Sequence, residues 1–349
     1  MSNLHDTLIN WYGQNQRDLP WRNHPTPYQV WLSEVILQQT RVNQGRDYYL
    51  RFIDRWPTVT DLANASEEEV LKLWQGLGYY SRARNLHQCA QQVVSLYKGN
   101  FPADFEQLRK LKGIGDYTAA AIASIAFGLP HAVVDGNVYR VLARLFDIDT
   151  PINASEGQKL FARLADELLN RECPGLHNQA MMEFGALHCT PKNPNCLLCP
   201  LQAQCLAFAR QTVLQRPVKL DKLKVTTRHF NYLVLRINGS IYLHKRSADD
   251  IWRNLYDFAC IESPGPMTVE ETIASKEFQQ LIGDTAFTIA KTSPVFTHKL
   301  THRTILAQFI EIKLDKELLQ IQTKDLFLVP ESDLGNYPIP RLIDLYLNT

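Results

Sequence analysis

The sequence predicts a protein of two domains, an all-helical part followed by a smaller α+β part. Up to residue 208 the chain shows amphipathic helices separated by short Gly or Pro breaks, with no strand series. From residue 229 onward, apolar and polar side chains alternate in the way typical of β-strands. Between them, residues 209–228 are basic, contain Pro217 and lack periodic apolar positions, which indicates a linker. We therefore predict domains at 1–208 and 229–349.

Length and composition are those of an ordinary globular protein. The 349 residues can bury two cores, and 45% of them are hydrophobic while 21% are charged. No charged-then-apolar leader stands at the N-terminus, and no apolar run approaches membrane-spanning length. Seven cysteines, an odd number, argue against a disulfide framework. We expect a reduced, cytoplasmic protein without membrane contact.

The net charge of +1 does not by itself indicate a nucleic-acid partner, which usually shows as a basic patch. Any such contact must be local. The predicted linker is one candidate, because Asp221 is the single acid among its six basic residues. These are Arg210, Arg216, Lys219, Lys222, Lys224 and Arg228. A solvated linker and a phosphate-binding segment both fit this pattern.

Periodicity predicts the individual elements. Helices are expected at Ala83–Tyr97, Phe105–Leu111, Tyr117–Phe127, Val138–Leu145 and Pro340–Leu347. In the second part, Phe230–Ile237 alternates as a strand, and Asn238-Gly239 is a strong hairpin turn into Ile241–Leu243. A further strand is expected at Thr304–Ile312.

Four cysteines in residues 189–205 predict a metal centre. Cys189, Cys196, Cys199 and Cys205 are separated by six, two and five residues, in a stretch too short to fold around its own apolar core. Thiolates so close together need a shared cation. The uneven spacing differs from the paired Cys-x-x-Cys knuckles of structural zinc and favours a 4Fe–4S cluster. A zinc knuckle or unpaired core thiols are the alternatives.

The segment Leu111–Thr118, with the sequence Leu-Lys-Gly-Ile-Gly-Asp-Tyr-Thr, has the pattern of a helix-hairpin-helix turn. Gly113 and Gly115 allow a tight turn and a close backbone approach, and the first amides of the next helix can meet an anion. A DNA phosphate fits that position, since backbone amides accept phosphate regardless of sequence. A plain turn between helices is the simpler interpretation of these residues taken alone.

The order of these motifs resembles the endonuclease III superfamily of DNA base-excision glycosylases, and within it the MutY-type adenine DNA glycosylases. The similarity extends over about Leu4 to Phe208. It is carried by the hairpin, the cysteine loop and five further segments. These are Leu19–Arg22, Trp31–Thr40, Gly76–Asn85, Val133–Asn137 and Asn178–Ala180. The resemblance implies an all-α helix-hairpin-helix glycosylase core with a 4Fe–4S loop and no catalytic divalent metal. It also implies a monomer that removes adenine mispaired with 8-oxoguanine or guanine in duplex DNA.

The resemblance assigns Glu34 and Asp135 as the catalytic pair. Cleaving the bond from adenine to deoxyribose requires an acid for the leaving purine and an anion beside the developing sugar cation. Burial of Glu34 on its largely apolar helix is expected to raise its pKa, whereas Asp135 must stay ionised. Tyr117 and Asn137 match residues that position these groups. Taken alone, Glu34 fits a solvated helix face, and Asp135 fits an N-cap of the helix that follows it.

Tyr117 discriminates within the superfamily. Bifunctional members carry a lysine at this point of the hairpin, and its amine attacks the sugar. Tyrosine here implies a monofunctional glycosylase, with Lys110 and Lys112 as phosphate or solvent contacts on the other side of the hairpin.

The resemblance also assigns the residues that hold the extruded base. The enzyme must take adenine out of the stack and wedge the gap, and Gln39 and Tyr79 match the family's wedge residues. The residues matching the adenine pocket are Arg17, Trp21, Arg22 and Gln179. Without the resemblance, the aromatic residues fit core positions and the arginines fit surface charges.

The C-terminal part resembles the Nudix-like module that this family uses to recognise the oxidised guanine. Phe296, Thr297 and His298 stand where the family shows Phe-Ser-His. Nothing between Ala259 and Asp284 reproduces the metal-binding acidic run of a Nudix hydrolase, so this domain is expected to read DNA without hydrolysing nucleotides. The alternative is a core role for Phe296 and a surface role for His298.

Asp116 departs from the family pattern, because an acid next to a phosphate site is unfavourable. We expect it to cap the following helix and face away from DNA. Two other functions stay open at this point: a thymine glycosylase for mismatches, and a non-catalytic damage-binding protein.

Overall fold

The computed structural model describes residues 2–23, 25–220, 225–319 and 325–349. The chain forms two compact units, Met1–Ala65 with Asn85–Asp221, and Ser66–Arg84 with Lys222–Thr349. A short segment of the predicted helical domain therefore groups with the C-terminal residues. None of the described helices is both long and apolar enough to cross a membrane.

Helices make up the regular structure from residue 2 to residue 220. In chain order they are α1 (Ser2–Asn15), α2 (Pro27–Leu37), α3 (Val42–Arg55), α4 (Val59–Asn64), α5 (Glu67–Trp74), α6 (Ser81–Tyr97), α7 (Phe105–Lys110), α8 (Asp116–Ala121), α9 (Gly136–Leu145), α10 (Ser155–Glu167), α11 (Pro174–Leu187) and α12 (Leu206–Ala209). Three of the predicted helices are confirmed as α6, α7 and α9. Local capping defines several ends, as at α2, where Thr26 forms a capping box with Gln29.

The prediction of a helix at Tyr117–Phe127 needs a correction. The α-helix α8 ends at Ala121 and continues as a π-helix over Ile122–Ala126. Within this widened turn the Ser124 hydroxyl donates to the Ala120 carbonyl at 2.7 Å. Helix α11 packs closely on the same turn, because a Cβ added at Gly175 would lie 2.7 Å from the Ser124 carbonyl oxygen. Such single-turn π segments are a local irregularity that pattern analysis does not detect.

The core of the first unit forms around α11. Leu8 and Tyr12 of α1, Leu142 of α9 and Phe161 of α10 are buried together with Phe184 of α11. The amphipathic spacing of α9 explains its position, since Val138, Val141, Leu142 and Leu145 share one buried face. Packing between α9 and α11 places the start of α9 against the C-terminal end of α11, where Gly185 approaches Asn137.

The second unit contains a mixed sheet. Its strands are β1 (Thr226–Ile237), β2 (Ser240–Lys245), β3 (Tyr256–Asp257), β4 (Ala259–Ser263), β5 (Phe287–Thr292), β6 (Phe296–Lys299), β7 (Arg303–Leu314) and β8 (Leu326–Pro330). The described strands follow the order β3-β2-β1-β7-β5, with β4 paired to β1, β6 to β7 and β8 to β2. Strands β1 and β7 run parallel, and the other pairings are antiparallel.

The helices that accompany this sheet are α13 (Val269–Ala274), α14 (Lys276–Ile282) and α15 (Arg341–Leu347). The predicted hairpin is confirmed, because Asn238 and Gly239 both have positive φ, 48° and 75°, as a two-residue turn requires. The predicted strand at Thr304–Ile312 and the C-terminal helix are also confirmed, as β7 and α15. Both faces of β1 are buried, so the side chains that alternate along this strand pack on opposite sides of the sheet.

Part of the predicted linker 209–228 packs against the helical unit. Arg210 and Arg216 pair with Asp147 at 3.1 and 3.0 Å, and the Thr212 hydroxyl bonds the same carboxylate at 2.6 Å. Arg228 lies in β1 and pairs with Asp250 and Glu262. These arginines are therefore held by acids of their own unit. Asp221, Lys222 and Lys224 lie outside the described residues.

We predict that Gly185→Ala will destabilise the protein by about 1–3 kcal/mol, because overpacking a tight contact has that order of cost. A Cβ at Gly185 would lie 2.7 Å from the Asn137 Cβ and 2.9 Å from its carbonyl oxygen, at the contact of α11 with α9. The free energy of unfolding in urea measures the effect.

The matched control is Gly13→Ala in α1, where an added Cβ meets nothing within 4 Å. We expect this change to stabilise the helix by roughly 0.5–1 kcal/mol. Equal effects of the two substitutions would contradict the close contact.

Candidate active site

A cavity of about 430 Å³ opens in the first unit, between α2, α8, the start of α9 and α11. It brings together nine of the residues singled out in the sequence. They are Arg17, Trp21, Arg22, Glu34, Gln39, Tyr117, Asp135, Asn137 and Gln179. Residues separated by more than 160 positions in the chain thus line one space.

Glu34 lies on α2, whose other side chains are mostly buried. Its Oε2 accepts a hydrogen bond of 2.5 Å from the Tyr117 hydroxyl. Burial raises the pKa of Glu34 to about 7, which the Tyr117 bond partly opposes and the nearby charge of Asp135 reinforces. The expected upward shift of this pKa is therefore confirmed. At neutral pH the carboxyl exists in both protonation states.

Asp135 forms the N-cap of α9. Its Oδ1 accepts from the amides of Asn137 and Val138 at 2.8 and 2.7 Å, and its Oδ2 accepts from the Asn137 side chain at 2.7 Å. Burial raises the pKa of Asp135, while these three bonds act in the opposite direction by stabilising the charged form. The cap interpretation is confirmed, and it holds the carboxylate rigidly at the cavity wall.

Asn137 links this cap to the rest of the unit. Its side-chain oxygen accepts from Arg140 at 2.9 Å, and Arg140 also donates to the backbone carbonyls of Gly185 and Cys189, at 2.5 and 2.7 Å. A buried chain of hydrogen bonds therefore connects Asp135 with the end of α11 and the beginning of the cysteine loop.

Glu183 is a cavity residue that the sequence analysis missed. It is 1% exposed and accepts bonds from both guanidinium groups, from Arg17 at 2.8 and 2.5 Å and from Arg22 at 2.9 and 2.7 Å. Although burial disfavours its charge, these bonds lower the pKa of Glu183 to about 2. A charged residue in an apolar helix, four positions after Gln179, was the available signal.

Two other pocket residues have defined partners. Gln179 accepts a bond of 2.8 Å from the Tyr12 hydroxyl. The Trp21 ring is 7% exposed and meets Tyr49 edge-on, with centroids 5.1 Å apart. Trp21 is thus largely a core residue, although it also lines the cavity.

The Asn178 side chain joins three segments near the cavity, a role that the sequence did not predict. Its side-chain oxygen accepts from the Val133 amide at 3.1 Å, and its nitrogen donates to the Ser124 hydroxyl and the His131 carbonyl, both at 2.8 Å. Asn178 thereby ties the π-helical turn to the loop that leads into Asp135. This arrangement sets the cap relative to the helix that carries Tyr117.

The hairpin has the expected turn but a different cap. Gly113 adopts a φ of 75°, and a Cβ there would lie 2.8 Å from the Asn85 Cβ, so glycine is required twice over. Gly115 is the N-cap of α8 and forms no side-chain cap bond. The expectation that Asp116 caps this helix is wrong: it is the first helical residue, and its carboxylate pairs with Arg109 at 2.5 Å.

The two wedge candidates lie in different units. Gln39 lines the cavity as an exposed residue with a φ of 54°. Tyr79 belongs to the second unit, has a φ of 49° and is 46% exposed. Both backbones occupy the left-handed region that side chains other than glycine rarely adopt.

Strand β6 carries the three predicted lesion contacts. Phe296 packs edge-on against Phe309 and Tyr346, with centroid distances of 5.4 and 6.3 Å, as a core residue would. His298 meets Trp252 at 5.7 Å, and Thr297 points to the exposed side of the strand. Of the three, Thr297 is the most accessible.

Three of the four loop cysteines lie against the same core as α9 and α11. Cys189, Cys199 and Cys205 are partly buried there, and the Arg144 guanidinium donates to the Cys189 sulfur at 3.4 Å. Burial, together with repulsion from the other three thiols of the loop, raises the pKa of Cys199 to about 11. Within the described ranges, no three His, Cys, Asp or Glu side chains are already arranged as a metal site.

The raised pKa of Glu34 has a consequence for stability. Between pH 4.5 and about 7 the folded protein keeps a proton on Glu34 that the unfolded chain releases. The stability from this group is therefore full below pH 4.5 and is lost as the pH rises through 7. Relative to Glu34→Gln, we expect the wild type to lose at most about 3 kcal/mol over that interval.

Urea unfolding of both proteins across this pH range measures the difference. The control is Glu172→Gln, a substitution of an exposed glutamate in the same unit. A constant stability difference between wild type and Glu34→Gln at all pH values would contradict the raised pKa.

Comparison with known proteins gives two family matches. Residues 32–167 match the HhH-GPD superfamily of base excision DNA repair proteins, and residues 231–349 match the NUDIX domain. The predicted architecture, a helix-hairpin-helix core followed by a Nudix-like α+β domain, is confirmed.

Two curated relatives are both adenine DNA glycosylases. One, from Buchnera aphidicola subsp. Baizongia pistaciae, is 33% identical over 315 residues, which is 90% of this chain and 87% of that protein. The other, from Homo sapiens, is 48% identical over 214 residues, covering 58% of this chain and 39% of the longer human protein.

A solved structure supports the fold of the first part. A thermostable thymine-DNA glycosylase is 28% identical with a TM-score of 0.56, covering 60% of this chain and 96% of its own. With the cavity, the hairpin and the cysteine loop in the order described, these similarities identify the chain as a member of the adenine DNA glycosylase family within the HhH-GPD superfamily.

Proposed function

We propose that the protein is a monofunctional DNA glycosylase that excises adenine opposite 8-oxoguanine or guanine in duplex DNA. The observation that carries this proposal is the pair of carboxyl groups in one cavity, with Glu34 at a pKa of about 7 and Asp135 held by three hydrogen bonds. Two carboxyl groups with different environments can divide acid and anion roles.

Glu34 is the general acid. Because its Oε2 accepts the bond from Tyr117, its Oε1 is the oxygen available to carry the proton. A pKa near 7 leaves about half of the molecules protonated at neutral pH, which is favourable for proton transfer to the leaving adenine. Tyr117 orients the carboxyl group and cannot act as an amine nucleophile.

Asp135 supports the sugar as it becomes cationic. The two backbone amides and the Asn137 side chain stabilise its ionised form, although burial opposes that charge. Since the cap fixes the carboxylate before substrate arrives, little reorganisation is needed when positive charge develops. Water then completes the hydrolysis, and Glu34 in its ionised form can act as the base.

The polar wall of the cavity recognises the adenine. Arg17, Arg22 and Glu183 form one network of charge-assisted bonds, which holds the two guanidinium groups in fixed directions. Gln179 adds an amide oriented by Tyr12. The cavity volume of about 430 Å³ lies within the range of small-molecule sites, roughly 300–1,000 Å³.

Excision from duplex DNA requires extrusion of the adenine, because the glycosidic bond is inaccessible inside the stack. The exposed Tyr79 and Gln39 are the proposed wedge residues, and the backbone around Gly113 and Gly115 is the proposed phosphate contact. The second unit reads the base opposite the adenine, with Thr297 exposed on β6 as the contact residue.

The cysteine loop is proposed to hold a 4Fe–4S cluster. Its donor set consists of four thiols, three of which pack against the core, and four thiolates are the ligand chemistry of such clusters. When bound, the cluster would stabilise the loop and the DNA-facing surface around it. All four thiols would be used as ligands, so the hydrolysis depends on Glu34 and Asp135.

The activity is tested by single-turnover excision on duplexes that differ in one pair: adenine opposite 8-oxoguanine, adenine opposite guanine, and thymine opposite guanine. We expect adenine loss, fastest opposite 8-oxoguanine, with a rate that falls above pH about 7 as Glu34 ionises. Glu34→Gln and Asp135→Asn should each lower the rate by at least ~10²-fold, the usual scale for catalytic acid–base groups.

Glu172→Gln serves as the surface control, and borohydride should trap no protein–DNA adduct. Loss of thymine in place of adenine would support a mismatch thymine glycosylase. Unchanged turnover in both variants would contradict the catalytic assignment, and strong trapping would contradict the monofunctional mechanism.

For the cluster, we predict that Cys199→Ser will lower the iron and acid-labile sulfide content of the purified protein. The matched control is Cys173→Ser, a partly buried thiol outside the cysteine loop, which should retain both. Chemical analysis of iron and sulfide measures the effect. Zinc in place of iron and sulfide would favour the knuckle alternative.

A further inference from the structure

The loop that carries Tyr79 is unusual in its backbone. Gly76, Gly78 and Tyr79 have φ values of 98°, 74° and 49°, so three of four consecutive residues lie in the left-handed region. Tyrosine adopts this conformation only where surrounding contacts impose it. The contacts that hold Tyr79 are therefore informative about its role.

Two contacts fix the Tyr79 side chain, although its ring is nearly half exposed. The Arg82 guanidinium lies 5.5 Å from the ring centroid, and Arg82 also donates to the Gly78 carbonyl at 3.3 Å. At the other end, the Tyr79 hydroxyl and the Thr301 hydroxyl are 3.0 Å apart and share a hydrogen bond. This second contact joins residues separated by 222 positions.

Thr301 lies in an ordered turn. The turn connects β6 to β7 and is closed by a bond of 2.7 Å from the Leu300 amide to the Arg303 carbonyl. The Arg303 side chain pairs with Asp250 at 2.9 Å. Strand β6, which ends two residues before Thr301, carries the residues proposed to read the base opposite adenine.

The rest of the Ser66–Arg84 segment is anchored in the same unit. Glu68 pairs with Lys245 at 2.6 Å and accepts from the Tyr256 hydroxyl. Closer to the loop, the Tyr80 hydroxyl donates to the Ile339 carbonyl at 3.2 Å. The backbone beside Tyr79 is thus held by contacts that do not involve Thr301. The bond from Thr301 therefore acts on the orientation of the Tyr79 ring.

We propose that Thr301 is a positioning residue for Tyr79, which couples the wedge to the strand that reads the opposite base. In the free protein the Thr301 hydroxyl holds the exposed ring in one orientation and so reduces the number of rotamers that must be lost on DNA binding. When β6 contacts the oxidised guanine, the bond to Thr301 places the Tyr79 ring next to the same base pair. This inference rests on the proposed function, specifically on the wedge role of Tyr79.

The test measures extrusion of the target base. The DNA carries 2-aminopurine in place of adenine opposite 8-oxoguanine. Stopped-flow fluorescence follows the unstacking of this base in the full-length Glu34→Gln protein, in which excision is expected to be slow. Thr301→Val, Tyr79→Phe and the double variant are compared, with Thr292→Val as the matched control at an exposed threonine of β5. Thermal unfolding of each variant checks that the fold is kept.

We expect Thr301→Val and Tyr79→Phe each to slow extrusion by roughly 2- to 10-fold, the effect of one hydrogen bond. The double variant should be no slower than the slower single variant, because both changes remove the same interaction. Thr292→Val should extrude at the rate of the Glu34→Gln protein.

The inference would be overturned if Thr301→Val extruded the base at the rate of the Glu34→Gln protein. It would also be overturned if the rate reductions of the two single variants multiplied in the double variant. Tyr79→Ala separates this result from the proposed function. If Tyr79→Ala slows extrusion and Thr301→Val does not, only the coupling is wrong. If Tyr79→Ala has no effect, the wedge role and the coupling are both wrong. The excision assay of the wild-type protein tests the reaction separately.

Discussion

The N-cap that Asp135 forms on α9 is the interaction on which the rest of the site depends. Its two backbone acceptor bonds start the helix, and its bond from Asn137 orients the residue that holds Arg140. Arg140 then reaches the carbonyls at the end of α11 and at Cys189. One side chain therefore serves helix initiation, the proposed catalytic anion and the attachment of the cysteine loop. Asn137 lies so close to α11 at this point that a Cβ at Gly185 would meet it at 2.7 Å.

The second constraint is the low polarity of the environment around Glu34. Helix α2 buries most of its residues. Burial on this helix raises the pKa of the Glu34 carboxyl to about 7, whereas a carboxyl group at the surface would be ionised at neutral pH. The opposite result appears at Glu183, where two guanidinium groups lower the pKa to about 2 although this residue is only 1% exposed. Burial alone does not set the charge of these acids. The partners within hydrogen-bond distance decide which one can hold a proton near neutral pH and which one stays an anion.

Much of the fold could be predicted from local patterns. The helices α6, α7 and α9, the Asn238-Gly239 hairpin and strand β7 all follow from periodicity or turn chemistry that a few neighbouring residues specify. Other features depend on contacts between different elements. The π-helical turn after α8 exists where Gly175 and Asn178 of α11 pack on Ser124. Across the hairpin, the pairing of Asp116 with Arg109 of the preceding helix replaces the expected cap. Glu183 was missed because its partners, Arg17 and Arg22, are some 160 residues away in sequence.

The sequence by itself determined the order of the two parts, the helical or strand character of their elements and the thiol donor set. These depend on residue type and short-range spacing, which survive without tertiary information. The candidate acid and anion came from the resemblance to the glycosylase family, since Glu34 and Asp135 taken alone fit a solvated helix face and an N-cap. Only the tertiary structure decided that Glu34, Asp135 and the Arg17–Arg22–Glu183 network face one cavity, and that Tyr79 is bonded to Thr301. Protonation and orientation depend on burial and on groups far apart in the chain, and those are properties of packing, which no local pattern contains.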